Sequence, residues 1–294
     1  MGFMRKLALI ALLAIACGAT QVQAQTLKLA YSKGATYTYK AHMTLDESVN
    51  VGPTTVPVKF DMTATETQTV DSVDSKGVAD LTVTLTNVQA STTVQGQTST
   101  TTTTVPAQHL KVASDGRVLS VNGLSFSGGS PFSAAGGGAP GSAILPDTAV
   151  KAGATWTKDY DQTNPFGSGT IHITSTSKYL RDETLKGTQV AVIQTTVKSP
   201  MDMTIDFSKF AQMSGSGSAS PIPIPGITGI AVKGSQVSDV TTWLDNKAHR
   251  MLKTTMSTKI DATFSFVMSP GTSIPGLGGP YALTGTQTMD LTPV

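Results

Sequence analysis

A single cysteine occurs in 294 residues, so no disulfide framework holds this chain. Charged residues are scarce at 14%, against about 25% in ordinary domains, and aromatics reach only 6%. Long apolar runs are absent after the first two dozen residues, so no helical membrane span is expected there. Catalytic signatures are missing too: no G-x-S-x-G, H-E-x-x-H, phosphate loop or dinucleotide fingerprint occurs. Ser175-Thr176-Ser177-Lys178 matches S-x-x-K in letters alone, without the companion motifs that chemistry requires. The four histidines, His42, His109, His172 and His249, lie far apart and have no partner at metal-ligand spacing. Asp159-Tyr160-Asp161 lacks the Gly and Glu of a calcium loop and reads as a solvated turn. No catalytic residue, metal or cofactor is therefore expected, and the chain reads as a non-enzyme. What is abundant is Thr, at nearly one residue in six, together with 28 Gly and 15 Pro, a composition that argues against coiled coils and helical repeats. Mean hydropathy of +0.02 is too high for a disordered chain.

The N-terminus gives the compartment. Arg5 and Lys6 precede an apolar run from Leu7 to Ala16, and Val22-Gln23-Ala24 suits the last positions before cleavage at Gln25. Residues 1–24 thus read as a secretory signal peptide. The alternative makes Cys17 a lipid-acceptor site, although a lipobox usually carries Leu, Val or Ile where Ala14 stands. The chain is expected to be exported, periplasmic or extracellular, or else anchored to the envelope through Cys17. Without Arg5 and Lys6 it carries 19 basic and 19 acidic residues. That balance argues against nucleic acid as a partner, whose binding rests on phosphate neutralisation, and against anionic lipid surfaces.

Period-two alternation runs through the remainder. Tyr37, Tyr39, Ala41, Met43 and Leu45 share one parity, and Thr36, Thr38, Lys40, His42 and Thr44 take the other. Met256, Thr258, Ile260, Ala262, Phe264, Phe266 and Met268 alternate with Ser257, Lys259, Asp261, Thr263 and Ser265. Such patterns predict long antiparallel strands with one packed and one wetted face. They fall near 27–31, 36–48, 57–71, 78–90, 98–112, 117–121, 155–160, 168–181, 188–198, 201–207, 235–245, 249–268 and 281–291. Turns are expected at Asp74-Ser75-Lys76-Gly77, Asp115-Gly116, Leu185-Lys186-Gly187 and Asp245-Asn246-Lys247. One or two helical turns fit 206–213. Lys33-Gly34-Ala35-Thr36-Tyr37 and Ala152-Gly153-Ala154-Thr155-Trp156 open two halves in similar words. The expected layout is an N-terminal β unit over 25–121, a Gly/Ser/Pro-rich linker or loop over 122–146, and a C-terminal β unit over 147–294. One continuous domain is the alternative.

Three long loops are apolar. Residues 123–146 include Leu124, Phe126, Phe132, Ile144 and Leu145; 214–230 include Ile222, Ile224 and Ile227; 269–280 include Ile274 and Leu277. Such loops either tuck against a sheet edge or form flaps at the mouth of a hydrophobic cavity. On the second reading Ile222, Ile224, Ile227 and Leu277 sit near a ligand, and Phe264 and Phe266 face the packed side of their strand.

The signal peptide, the Lys33–Tyr39 opening, Leu145-Pro146 ahead of Val150 to Trp156, and Trp243-Leu244-Asp245 before Arg250 to Lys253 occur together. In these features the chain resembles a family of uncharacterised bacterial secreted proteins and lipoproteins, a domain of unknown function. More distantly it resembles the LolA/LppX-like lipoprotein carriers. The resemblance implies a strongly bent antiparallel sheet, or half-barrel, cupping an apolar cavity, and a role in handling lipid or lipoprotein acyl chains. The expected fold is all-β, and the leading functional expectation is an envelope protein that binds a lipid or apolar small molecule. The alternative is a non-catalytic structural or surface interaction protein with an envelope protein as partner. An outer-membrane barrel fits less well, because the Leu291-Thr292-Pro293-Val294 terminus is not aromatic and aromatics are too few for two girdles.

Overall fold

Thr alternating with Val, Leu, Met and Ala suits a pleated surface buried on one side, and strands dominate the computed structural model. It describes residues 24–51, 54–102, 105–121, 124–125, 143–163, 167–168, 170–208, 226–272, 274, 277 and 279–294. The strands of the first half are β1 (Thr36–Val51), β2 (Thr54–Val73), β3 (Ala79–Val94), β4 (Gln97–Thr102), β5 (Gln108–Val112), β6 (Val118–Val121) and β7 (Leu124–Ser125). Those of the second are β8 (Thr155–Thr163), β9 (Gly167–Ser168), β10 (Thr170–Leu185), β11 (Thr188–Asp206), β12 (Ile227–Asp245), β13 (Met251–Met268) and β14 (Tyr281–Pro293). All belong to one antiparallel sheet ordered β7-β6-β5-β3-β2-β1-β14-β13-β12-β11-β10-β8, with β4 on β3 and β9 on β11. The first half of the chain supplies one side of this sheet and the second half the other. β1 and β14 join them along the register from Tyr39–Pro293 to Asn50–Ala282.

The two opening motifs fold alike. Gly34 N donates to Val70 O while Val70 N donates to Ala35 O; Gly153 N donates to Tyr179 O while Tyr179 N donates to Ala154 O. Gly34 and Gly153 take φ of 82° and 92°, which only glycine adopts without strain. Turns occur at all four expected places.

The sheet is strongly curved but not closed by a ladder. β8 and β6 lie near opposite ends of the strand order, a distance of roughly 48 Å in a flat sheet. Yet Lys158 Nζ on β8 is 3.1 Å from Asp115 Oδ2 in the turn between β5 and β6. Leu145 N donates to Asp115 O at 2.8 Å, and Ile144 O accepts from Trp156 Nε1 and Ser177 Oγ. The buried stretch 143–146 therefore plugs one end of a half-barrel. Residues 24–32 strap the same end: Gln25 pairs with Val150, Leu29 N donates to Ser114 O, and Ala30 N donates to His249 O. The largest core cluster lies here, with Leu27, Leu29, Tyr39, Leu81, Leu145 and Tyr179 on the inner face.

Several element boundaries differ from those expected. Residues 27–31 form no strand; Leu27 and Leu29 alternate inward from the strap, burying side chains without a ladder partner. The stretch 98–112 is two strands, β4 and β5, on different parts of β3. Conversely 188–198 and 201–207 are one strand, β11. Pro200 fits inside it because the registered pairing with β10 ends at Lys198, where a missing N–H costs no ladder bond on that side. β12 begins at Ile227, inside the expected loop 214–230.

Candidate functional site

The meander sends alternate turns to opposite ends of the half-barrel. Turns 74–77, 114–116, 186–187 and 246–249 lie at the plugged end. The C-terminal ends of β1, β11 and β13 therefore lie at the other. Near that second end the inner faces of β1 and β2 stand opposite those of β11 and β12, with β13 and β14 as the floor. They enclose a cavity of about 610 Å3, within the roughly 300–1,000 Å3 range of small-molecule pockets. Its walls are Met43, Leu45, Val49, Val58 and Phe60 on one side and Met201, Ile205, Ile230 and Val232 on the other. Ile260, Phe264 and Leu283 line the floor. Polar side chains are few: Glu47, Thr92, Gln236 and Gln287.

The alternation that makes the strands also makes this lining. Across β1 and β14 the inward register runs Met43–Met289, Leu45–Gln287, Glu47–Gly285 and Val49–Leu283. Across β13 and β12 it runs Phe264–Val232 and Ile260–Gln236. Closer to the plug the inner face of the sheet turns polar and buried. Ser238 and Thr258 hydroxyls are 2.9 Å apart, Ser177 and Thr195 hydroxyls 2.8 Å, and Gln287 Nε2 donates to Met43 Sδ at 3.2 Å. Ser199 and Ser175 are buried on this face, and among the described residues neither hydroxyl has a hydrogen-bond partner.

The expected site residues are distributed unevenly. Phe264 lines the cavity. Phe266 stands beside it, the two rings packing edge-on at 5.8 Å, and both approach Tyr281 at 5.3 and 5.8 Å. Both phenylalanines are half-buried, because the inner face at this end is cavity wall and not packed core. Ile227 opens β12 and Leu277 is half-buried, and neither lines the cavity. Ile222, Ile224 and Cys17 lie outside the described residues. The described ends of the two loops meet where Ser269 N donates to Gly226 O. Missed by the sequence reading were the walls from β2, β11 and β12 and, above all, Glu47. The signal was present: Glu47 continues the apolar parity of Tyr37 through Leu45, with Val49 after it.

The remaining candidates do not converge. Ser175 and Lys178 of the S-x-x-K letters point to opposite faces of β10, one buried and one exposed. His42 is 3.1 Å from Asp61 and His172 is 2.8 Å from Asp161, both exposed. No group of three or more potential metal ligands occurs among the described residues. No protein-family model matches the chain, and no curated protein matches it in sequence.

Proposed function

We propose that this chain is an exported cell-envelope protein that holds a hydrophobic ligand, a lipid or an acyl chain, inside its curved sheet. The observation that supports this reading best is the 610 Å3 cavity, with apolar side chains from six strands facing its interior. A space of this size lined by Met, Leu, Ile, Val and Phe costs free energy when filled with water, and an apolar ligand would relieve that cost. Export is supported by residues 1–24. Gln25, the first residue beyond them, already holds its backbone pairing to Val150 and a side-chain bond to the Tyr179 hydroxyl. The LolA/LppX-like resemblance points in the same direction.

Titration with Nile red, an uncharged apolar dye, tests the reading. Saturable binding at one dye per chain is expected, weakened several-fold by Phe264→Ser together with Ile230→Ser. Absence of saturable binding would remove the carrier reading and leave a structural or interaction protein of the envelope.

A further inference from the structure

Glu47 is the one ionisable side chain among the described residues lining the cavity. It stands on β1 between Leu45 and Val49, and its registered neighbours on the inner face are Val58 on β2 and Gly285 on β14. No cation faces it from these strands. The same transverse row continues through Ile260 on β13 to Gln236 on β12 and Ser199 on β11. Gly285 gives the carboxylate arm its place: a Cβ there would lie 2.6 Å from Glu47 Cγ and 2.9 Å from Asp46 O. The arm thus lies over a notch in the floor. A carboxylate in an apolar wall carries a desolvation cost that a polar ligand group would offset.

We propose that the cavity selects amphiphiles whose head offers a hydrogen-bond donor, an amine or a hydroxyl, over carboxylate-headed fatty acids, with Glu47 as the selecting residue. This rests on the apolar-ligand reading above and adds the chemical class of the ligand. The head sits over the Gly285 notch beside Glu47, and the tail runs past Leu283 and Phe264 toward the open end. An amine or hydroxyl donates to the Glu47 carboxylate. A fatty-acid carboxylate brings a second negative charge to a wall with no Lys or Arg to receive it. Burial pushes the Glu47 carboxyl above its ordinary pKa, so the selection is measured at pH 8, where ionisation is most complete.

Displacement of Nile red by dodecylamine, dodecanol and dodecanoate, the two ionic amphiphiles below their critical micelle concentrations and dodecanol below its solubility limit, tests the proposal. Dodecylamine and dodecanol are expected to displace the dye at about tenfold lower concentration than dodecanoate. Glu47→Gln should bring dodecanoate to the level of dodecanol, whereas Glu47→Asp, which keeps the charge, should preserve the discrimination. Equal displacement by all three in the native protein would overturn the selection while leaving the cavity reading intact. Discrimination that survives Glu47→Gln would also overturn it. If the dye does not bind, or none of the three displaces it, the cavity reading itself fails and the selection with it. The native comparison decides the preference even where a variant does not fold.

Discussion

Glu66 offers a test of the packed end through pH. It lies on the inner face of β2, opposite Tyr39 on β1 and Leu85 on β3, and only 5% of it is exposed. Its one hydrogen-bond donor among the described residues is Gln68, whose Nε2 approaches Oε1 at 2.7 Å. The polar groups nearest on β1 are tyrosines, and the Tyr39 hydroxyl is committed to Met251 O at 2.8 Å. Burial pushes the Glu66 pKa from 4.5 up to about 7, with the Gln68 bond partly opposing it. The folded state thus holds this proton more tightly than the unfolded chain. The contribution is fully present below pH 4.5, falls as pH rises toward 7, and is gone above that. The gap between the two pKa values corresponds to about 3 kcal/mol. Glu66→Gln keeps the shape and a partner for Gln68 but carries no charge. Urea unfolding of both proteins at pH 5 and pH 8 reads the difference. The native protein should lose roughly 2–3 kcal/mol more than the variant across that interval, most of the full gap. Parallel losses would refute the claim that Glu66 is buried without an ion pair.

Two further outcomes are expected. Phe264→Ala should cost about 1–2 kcal/mol in urea unfolding, less than the roughly 3–5 of a buried Phe, because its ring borders the cavity. Thr263→Ala on the exposed parity should stay within about 0.5 kcal/mol, and equal losses from both would show that the inner and outer faces are misassigned. Intact mass of the protein isolated from its native host should correspond to a chain beginning at Gln25; a diacylglyceryl Cys17 as first residue would establish the lipid-anchored form instead.

Architecture was legible where a local rule acts alone. Alternation and Gly-containing turns place most of the long strands, since side-chain parity and positive φ are properties of a few neighbouring residues. Reading failed where the deciding partner is remote. Leu27 and Leu29 alternate like a strand, but only the absence of a neighbouring ladder makes them a strap. Pro200 looks like a break until the end of β10 pairing makes it harmless. The two-residue strands β7 and β9 carry no periodic signal at all. In the site, the parity of Phe264 was readable. The convergence of β1 and β2 on β11 and β12 was not, because it depends on how far the sheet bends. Glu47 stood out of pattern in the sequence, yet only the bend shows that the odd position faces an apolar hollow.

The strap through Gln25 fixes the polarity of the whole molecule. Whatever precedes Gln25 leaves from the plugged end, beside Val150, while the hollow opens at the opposite pole. If Cys17 carried a lipid, the few residues between it and Gln25 would keep the plugged end nearer the bilayer and the hollow turned away from it. On the ligand-binding reading, cargo would then reach the hollow from the aqueous side. A chain released by cleavage before Gln25 would have no such orientation.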